Sequence, residues 1–366
     1  MTRTSARPLA LAIGQTPPPI TGYSLITARM IAVLAETADI ETINISPGNR
    51  QGFNKHIHKG GQVLRACWRI AIQRNTASLA YLGCEGDWGL IYTFGLALTA
   101  RLFGYSILLH HHSFSYIDRR STIMRVILMV GGEGISHIFL CTTMRQRFQA
   151  RYQPVQRSRI ISNAAFVEHP EHPLEDQVHL RPLRIGLLSN LTKEKGLHTF
   201  LDLVRNLKNS GFEVQGVLAG PIALEDDKRL VAAAETELAG ALAYVGPIYG
   251  EAKERFYSDI DIFVFPTHYA NEAQPTVLFE ALAFGNWVVA YDRGCIGNQI
   301  GTHGLAVATT ADFNDAATAF IKSHLLERPS VIERQKIASE LLMNKEAALR
   351  SARSILAEEN SALPRR

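Results

Sequence analysis

The chain alternates short apolar runs with amphipathic segments, and it does so twice. Periodic helical segments separate six strand-like runs in the first half, which are Leu9–Ile13, Ile40–Ile45, Leu79–Leu82, Ser106–Leu109, His137–Cys141 and Arg159–Ser162. A polar stretch with three prolines then interrupts the alternation, which restarts at the run Leu183–Leu188. Such alternation is typical of a parallel sheet covered by helices. The sequence therefore predicts two α/β domains joined by a linker.

Length and composition agree with this reading. A chain of 366 residues is long for one domain, and 46% hydrophobic with 20% charged residues describes an ordinary globular protein. No run of 18 apolar residues occurs, and the N-terminus lacks a signal-peptide core, so we expect a cytoplasmic protein. The net charge of +4 is modest and no base-stacking motif accompanies it. We therefore expect no nucleic-acid partner.

The densest group of candidate site residues lies between His268 and Gly285. A buried strand is predicted to end at Pro266, and a helix to start soon afterwards, which places Glu272 on the loop and Glu280 on the helix. The first turn of that helix, where free N–H groups suit a phosphate, contains Pro275, Thr276 and Val277. Two carboxylates flanking such a turn fit a nucleotide sugar. The alternative is a pair of solvated glutamates near a helix start.

This segment resembles the motif of two glutamates separated by seven residues in retaining glycosyltransferases of family 4 (glycosyl transferases group 1), which have the GT-B fold. Both glutamates and the run Glu280–Gly285 match. Ala273 and Pro275 replace two glycines of the usual pattern, and Trp287 replaces a proline. The resemblance implies an α/β fold with two Rossmann-like domains facing across a cleft, and a C-terminal helix that crosses back to the first domain.

The same resemblance gives domain boundaries. Residues 1–170 are predicted to form an N-terminal Rossmann-like domain on the acceptor side, and 171–182 the linker. Residues 183–345 are predicted to form the C-terminal domain that binds the nucleotide sugar. Residues 346–366 are predicted to be the returning helix.

Two segments of the first half match the family as well. The loop Gly14–Ser24 resembles a Pro-Pro-x-x-Gly-Gly loop, so Gly22 becomes a donor-binding candidate, although a plain strand-to-helix loop would look the same. Farther along, strand alternation places His110 and His112 on one face and His111 on the other.

In the family, a histidine at this strand end contacts the donor sugar near its anomeric centre. His112 is the best match and His110 the second. A metal site is disfavoured because the sequence shows no third convergent ligand. The alternative is that these histidines satisfy buried backbone groups.

A third match is Gly186–Gly196, which resembles Gly-Arg-x-x-x-x-Lys-Gly. The family's lysine and arginine there hold the donor diphosphate. Lys195 matches the lysine, Asn190 stands at the position of the arginine, and Lys193 is the candidate for the missing charge. A solvated lysine at a helix start is the alternative for Lys195. Asn163 matches a family asparagine before the linker, where it is favoured as a cap of the turn.

The resemblance implies a retaining transfer of a hexose from a nucleotide sugar to a hydroxyl of a glycan or lipid-linked glycan, in bacterial surface polysaccharide synthesis. Glu272 and His112 would act on the sugar, and Glu280 on the ribose. No cofactor and no metal are expected, because Asp259 and Asp261 are better explained as structural. The alternatives are a GT-B-like sugar-nucleotide epimerase and a non-catalytic sugar-nucleotide-binding protein.

A basic stretch in the first half suggests where the protein lies. Five cations surround Trp68, namely Lys55, Lys59, Arg65, Arg69 and Arg74. This stretch predicts peripheral attachment to the anionic inner face of the cell membrane. An ordinary solvated helix face is the alternative.

Overall fold

The computed structural model describes residues 9–48, 50, 52–170, 181–324 and 328–362. The chain divides into two compact units. The first consists of Met1–Phe166 and Lys345–Arg366, and the second of Val167–Asn344. The predicted linker, 171–182, lies outside the described residues except for Arg181 and Pro182.

The first unit is built on a six-stranded sheet whose described strand pairings are all parallel. Its strands are β1 (Leu9–Gly14), β2 (Asp39–Asn44), β3 (Ala77–Cys84), β4 (Ser106–His111), β5 (Ile135–Phe139) and β6 (Ser158–Ile160). Its helices are α1 (Gly22–Ala35), α2 (Gly52–Ile72), α3 (Gly89–Leu102), α4 (Ser115–Asp118), α5 (Thr122–Gly131) and α6 (Thr142–Arg151). The strand order is β2-β1-β3-β4-β5-β6.

Strands β4 and β5 are buried along their whole length, and β3 is buried at every residue except Ser78, as expected when helices cover both faces. Helix α1 begins with a capping box in which Thr21 and Ser24 satisfy each other's backbone N–H groups. The last helix of the chain, α13 (Val331–Ala362), contributes Ala348, Ala352 and Leu356 to the core of this unit. The predicted return of the C-terminal helix to the first domain is therefore confirmed.

The second unit also contains a six-stranded, parallel sheet. Its strands are β7 (Leu183–Leu188), β8 (Val214–Ala219), β9 (Leu242–Tyr244), β10 (Ile262–Phe265), β11 (Trp287–Tyr291) and β12 (Gly304–Val307). Its helices are α7 (Leu197–Asn209), α8 (Glu225–Glu237), α9 (Glu251–Asp259), α10 (Thr276–Ala283), α11 (Ile296–Ile300), α12 (Phe313–His324) and the first part of α13. The predicted α/β fold class is confirmed.

The strand order of the second unit, β12-β11-β10-β7-β8-β9, determines where a ligand can bind. It is the doubly wound order in which the chain starts in the middle of the sheet, builds one half, and then crosses over to build the other. The order reverses between β7 and β10. Ligands of such sheets bind beyond the carboxyl ends of the strands at this switch point. The loops that follow β7 and β10 are those that contain Lys195 and Glu272.

Candidate functional site

The loops after β7 and β10 touch each other at the switch point of the second unit. The backbone N–H of His268 donates a hydrogen bond of 2.8 Å to the carbonyl of Glu194. Gly196 has a φ of +91°, and a Cβ there would lie 2.4 Å from the carbonyl oxygen of Pro266. Only glycine allows this approach, because any side chain would collide with backbone. The two loops therefore form one continuous wall.

Lys195 and Glu272 meet on this wall. The Lys195 ammonium lies 2.6 Å from a carboxylate oxygen of Glu272, and Glu272 is buried. The same ammonium lies 4.4 Å from the centre of the Tyr269 ring. A hydrogen bond to the residue before α11 fixes the loop that carries Glu272, because the backbone N–H of Cys295 donates to the carbonyl of Ala273 over 2.8 Å. A cation and a carboxylate are thus held in fixed positions at the sheet's carboxyl edge.

Two helices begin beside this ion pair. Helix α7 starts directly after Gly196, and α10 starts directly after Pro275. Within the described part of the chain, neither helix has a side-chain cap at its N-terminus. The carbonyl of Pro275 accepts a 3.0 Å hydrogen bond from the Gln299 amide, which holds the start of α10 in place. Uncapped N–H groups and the helix dipole favour an anion at this position.

Glu280 lies one to two turns into α10, and two groups of α9 hold its carboxylate. The Tyr257 hydroxyl donates to one oxygen and the Lys253 ammonium to the other, each over 2.8 Å. Burial, and the neighbouring Glu280 carboxylate, raise the pKa of Tyr257 well above its ordinary value. The phenol therefore stays protonated and keeps donating. Glu280 is accordingly a positioned acceptor rather than a solvated side chain.

In the first unit, Gly22 is the first residue of α1. It is exposed, and a Cβ built on it would meet nothing within 4 Å. Packing therefore does not require glycine at this position. The loop before it is fixed by Thr21, whose hydroxyl accepts from the N–H of Ser24 over 3.1 Å.

The three consecutive histidines alternate as the strand pattern predicts. The rings of His110 and His112 lie 4.0 Å apart, and the edge of the Tyr23 ring contacts His112 at 4.8 Å. The Nδ1 atom of His110 shares a 2.7 Å hydrogen bond with the Tyr81 hydroxyl. Burial lowers the pKa of His112 to about 3, so the ring is neutral at pH 7. Among the described residues, its Nε2 atom has no hydrogen-bond partner.

His111 points to the opposite face, into an aromatic core. Its two ring nitrogens bind the Tyr116 hydroxyl and Nδ1 of His137, each over 2.9 Å. Its ring stacks on Phe139 at 4.7 Å. His111 is thus a satisfied core residue.

Part of the chain is similar to a known family of proteins. Residues 176–338, which include the switch point of the second unit and both glutamates, match the model of the family described as glycosyl transferases group 1. A curated relative, the amylovoran biosynthesis glycosyltransferase AmsK of Erwinia amylovora, is 32% identical over 131 residues. That alignment spans 35% of this chain and about a third (32%) of the relative's length.

Solved structures extend the likeness to the whole chain. Alr3699/HepE of Anabaena, in complex with UDP, superimposes with a TM-score of 0.68 at 14% identity, over 97% of this chain and 100% of that one. Sucrose-phosphate synthase of Thermosynechococcus elongatus gives a TM-score of 0.72 at 15% identity, over 98% and 100%. At such identities the comparison establishes the fold alone, and the predicted GT-B fold is confirmed.

Two side chains of this site escaped the sequence reasoning. Lys253 and Tyr257 lie four residues apart on α9, so both face the same side of that helix. Their i, i+4 spacing is visible in the sequence. Their target is not, because Glu280 reaches them only through the packing of α9 against α10.

The remaining predicted residues are found outside this ion-paired cluster. Asn190 and Lys193 are exposed on the loop after β7. Asn163 is buried and starts a short 3₁₀ turn in the first unit. The N–H of Ala164 in that turn donates to the hydroxyl of Ser162 over 3.2 Å. The structure thus places a Ser162 cap at this turn.

The Asp-x-Asp sequence is structural. Asp261 is buried and accepts two hydrogen bonds from the Arg181 guanidinium, of 2.8 and 3.1 Å, and one of 2.8 Å from the N–H of Arg184. Asp259 is exposed and lies 3.9 Å from the Arg184 guanidinium. Among the described residues, no group of three or more histidine, cysteine or acidic side chains is arranged to hold a metal ion.

Proposed function

We propose that this protein is a retaining glycosyltransferase. It moves a hexose from a nucleotide sugar to a hydroxyl of a glycan or lipid-linked glycan, in the synthesis of a bacterial surface polysaccharide. The observation that carries the proposal is the arrangement at the second unit's switch point. There the Lys195–Glu272 pair, two uncapped helix N-termini and a positioned Glu280 occupy the place where doubly wound sheets bind nucleotides.

Each of these groups has a chemical role in the proposal. Lys195 and the N-termini of α7 and α10 bind the diphosphate and stabilise its charge as it departs. Glu280 accepts hydrogen bonds from the ribose hydroxyls, and Glu272 accepts from the sugar, on which His112 also acts. No protein carboxylate is assigned as nucleophile, and no metal is needed. Catalysis rests on positioning and on stabilisation of the leaving diphosphate.

The similar proteins support the donor and the pathway. The Anabaena protein has been solved with UDP, with UDP and glucose, and with UDP-glucose. The curated relative is named for amylovoran biosynthesis. These names support a nucleotide-linked hexose as donor and a growing glycan as acceptor.

The test is calorimetric titration of the full chain with UDP, alongside assays of nucleoside diphosphate release. Replacing Glu280 by Gln should weaken UDP binding at least about tenfold, because a hydrogen bond to a charged group is worth about 1.5–3 kcal/mol. The matched control is Glu251→Gln, a change of the same type on the exposed start of α9, and it should bind UDP like the unchanged protein. Equal affinity of Glu280→Gln and the control would remove Glu280 from the site.

The release assay separates the alternatives. Transfer frees a nucleoside diphosphate, and this release should persist in a chelator. Loss of release in the chelator, with recovery on adding magnesium or manganese, would contradict metal independence. Turnover of the nucleotide sugar without release would indicate an epimerase. Binding without any turnover would indicate a non-catalytic protein.

The proposed location is the inner face of the cell membrane, where a lipid-linked acceptor would be found. Three large apolar side chains of α2 are exposed at helical spacing, namely Ile57, Leu64 and Ile72. Lys55 and Arg74 flank them and are exposed. None of the described helices is long and apolar enough to span a bilayer.

Two of the five predicted surface cations do not belong to this face. Lys59 is buried and forms an ion pair with Glu85, and burial lowers its pKa. Arg69 donates to Glu41 over 2.6 Å. The prediction that all five cations are available to a lipid surface was therefore wrong for these two.

A further inference from the structure

The outer edge of the first unit's sheet carries a cavity that the donor site does not use. Strand β2 is the last strand on this side of the sheet, and the cavity lies between it, the loop that follows it and α2. Its volume is about 650 Å³, within the range of small-molecule sites. Pro18, from the loop before α1, completes its lining.

The lining of this edge cavity has an excess of positive charge. Three arginines line it, Arg50, Arg65 and Arg69, against one carboxylate, Glu41. Arg69 is already paired with Glu41 at 2.6 Å. Arg50 and Arg65 are exposed, and within the described residues neither forms an ion pair with an acidic side chain. The Arg50 guanidinium donates one hydrogen bond, of 3.3 Å, to the carbonyl of Pro47. Both guanidinium groups still carry N–H donors for an anionic ligand, and a guanidinium binds carboxylate or phosphate through two parallel hydrogen bonds.

Two further side chains of the lining point to a ligand. His58 is half-buried, and its Nδ1 atom is shielded from solvent with no hydrogen-bond partner among the described residues. A buried polar atom without a partner costs free energy unless something binds it. Trp68 lines the same cavity while 59% of its surface stays exposed. Its flat ring offers an apolar face in the cavity that Arg50 and Arg65 also line.

The opposite wall is held in shape by its own hydrogen bonds. The Ser46 hydroxyl donates to the carbonyl of Pro18 over 2.6 Å. The side-chain oxygen of Asn44 accepts from the N–H groups of Thr16 and Ser46, over 3.1 and 2.8 Å. These contacts join the loop before α1 to the end of β2, so this wall of the cavity is pre-formed. A pre-formed site loses less affinity to ordering on binding.

We propose that the edge cavity binds an oxyanion-bearing saccharide, with the sugar ring on Trp68 and its carboxylate or phosphate on Arg50, Arg65 and His58. This inference rests on the proposed function, because the saccharide would be part of the acceptor. The acceptor is then an acidic glycan or a sugar phosphate, rather than a neutral glycan.

Calorimetry on the full chain tests the proposal with four small probes, which are glucuronate, glucose 6-phosphate, glucose and inorganic phosphate. Either the carboxylate or the phosphate sugar should bind at least about tenfold more tightly than glucose and than inorganic phosphate, since both the charge and the ring contribute. The tighter of the two acidic sugars identifies the source of the oxyanion. Binding of inorganic phosphate as tightly as either sugar, or no binding of either acidic sugar, would overturn the proposal.

Variants assign the binding to this cavity. Arg65→Gln and Trp68→Ala should each weaken the acidic sugar at least about tenfold. Arg74→Gln removes an exposed arginine outside the cavity and should leave the affinity unchanged. If Arg74→Gln weakened binding of the acidic sugar as much as Arg65→Gln, the affinity would come from general surface charge and not from this cavity.

UDP titration of the same samples keeps this proposal apart from the proposed function. Arg65→Gln should bind UDP normally. Intact UDP binding without acidic-sugar binding in the unchanged protein would defeat only the edge-cavity proposal. The reverse result would defeat the nucleotide site and leave the cavity as a saccharide site.

Discussion

At the scale of single residues, the first unit depends on histidines that stay neutral. His110 and His111 are fully buried, and burial, together with the neighbouring histidines, lowers their pKa values well below the ordinary range. Burial also lowers the pKa of His137 to about 3. Each of these rings accepts or donates within an apolar surrounding that a positive charge would disrupt. The donor-side candidate His112 belongs to this group and is neutral for the same reason.

This cluster makes the protein sensitive to acid. His137 has a folded-state pKa of about 3 against roughly 6.5 when unfolded, so between these values the unfolded chain binds a proton that the folded chain does not. The contribution of His137 to the free energy of unfolding is fully present above about pH 6.5. It falls by about 1.4 kcal/mol per pH unit as the pH drops toward 3. Urea unfolding at pH 7 and pH 5 should show a smaller loss of stability for His137→Gln than for the unchanged protein. If His137→Gln and the unchanged protein lost the same stability between pH 7 and pH 5, the buried neutral His137 would not be a source of the acid sensitivity.

Residue-scale errors in the sequence reasoning share one cause. Lys59 looks like a surface cation in a basic helix, yet its partner Glu85 follows a strand that begins 18 residues farther along the chain. Charge patterns along a sequence report local neighbours only. The alternation of His110, His111 and His112 was predictable because it follows from the backbone geometry of a strand.

At the scale of elements, side chains from other helices hold α10 at both ends by donating to its backbone carbonyls. Its carboxyl end is fixed by Arg334 of α13, whose guanidinium donates to the carbonyl of Phe284 over 2.9 and 3.2 Å. Gly285 follows with a φ of +71°, and a Cβ there would lie 2.5 to 2.6 Å from the Arg334 backbone and Cβ. The helix that carries Glu280 is therefore anchored at both ends.

Replacing Gly285 by Ala should destabilise the protein by about 3 kcal/mol or more, because left-handed strain adds to a clash with backbone. Gly240→Ala is a matched control with a φ of +79° and nothing within 4 Å of its Cβ position. The control should lose only about 1 kcal/mol, from strain alone. Chemical denaturation of the two variants measures the difference. If both variants lost the same stability, Arg334 would be able to move away from the added Cβ at no cost in free energy.

The type of each element, strand or helix, was largely predictable from periodicity, whereas the residues at which elements begin and end were less predictable. The strand Leu183–Leu188 was placed correctly, and α10 begins one residue after Pro275, as a proline before a helix favours. Strands β11 and β12 were not predicted, since short apolar runs after a helix do not reveal their type. The positions of the two glutamates followed from the motif. Their partners Lys253 and Tyr257 did not, because tertiary packing supplies them.

At the scale of the whole molecule, the proposed location gives a clear test. Each basic residue near an anionic surface adds about 1 kcal/mol of attraction, which salt screens. The full chain should float with anionic liposomes more than with neutral ones, and less at high ionic strength. Leu64→Glu, on the exposed face of α2, should reduce flotation, whereas Leu224→Glu on the second unit is the matched control. Equal recovery on both lipids, or none, would leave α2 an ordinary exposed helix.

The two-unit organisation was predictable because the strand–helix alternation restarts after the linker. The function of the edge cavity was not, since Arg50, Arg65 and Pro18 come from three separate segments. Their meeting depends on the position of β2 at the end of the sheet.

The route of the last helix has a consequence for synthesis on the ribosome. The core of the first unit includes Ala348, Ala352, Ile355 and Leu356, which follow the whole of the second unit in the chain. The residues of the second unit, Val167–Asn344, are all translated earlier. Part of the core of the first unit therefore stays uncovered until the last helix is made, whereas the second unit can already fold. The order in which the two units are completed is the reverse of the order in which they are begun.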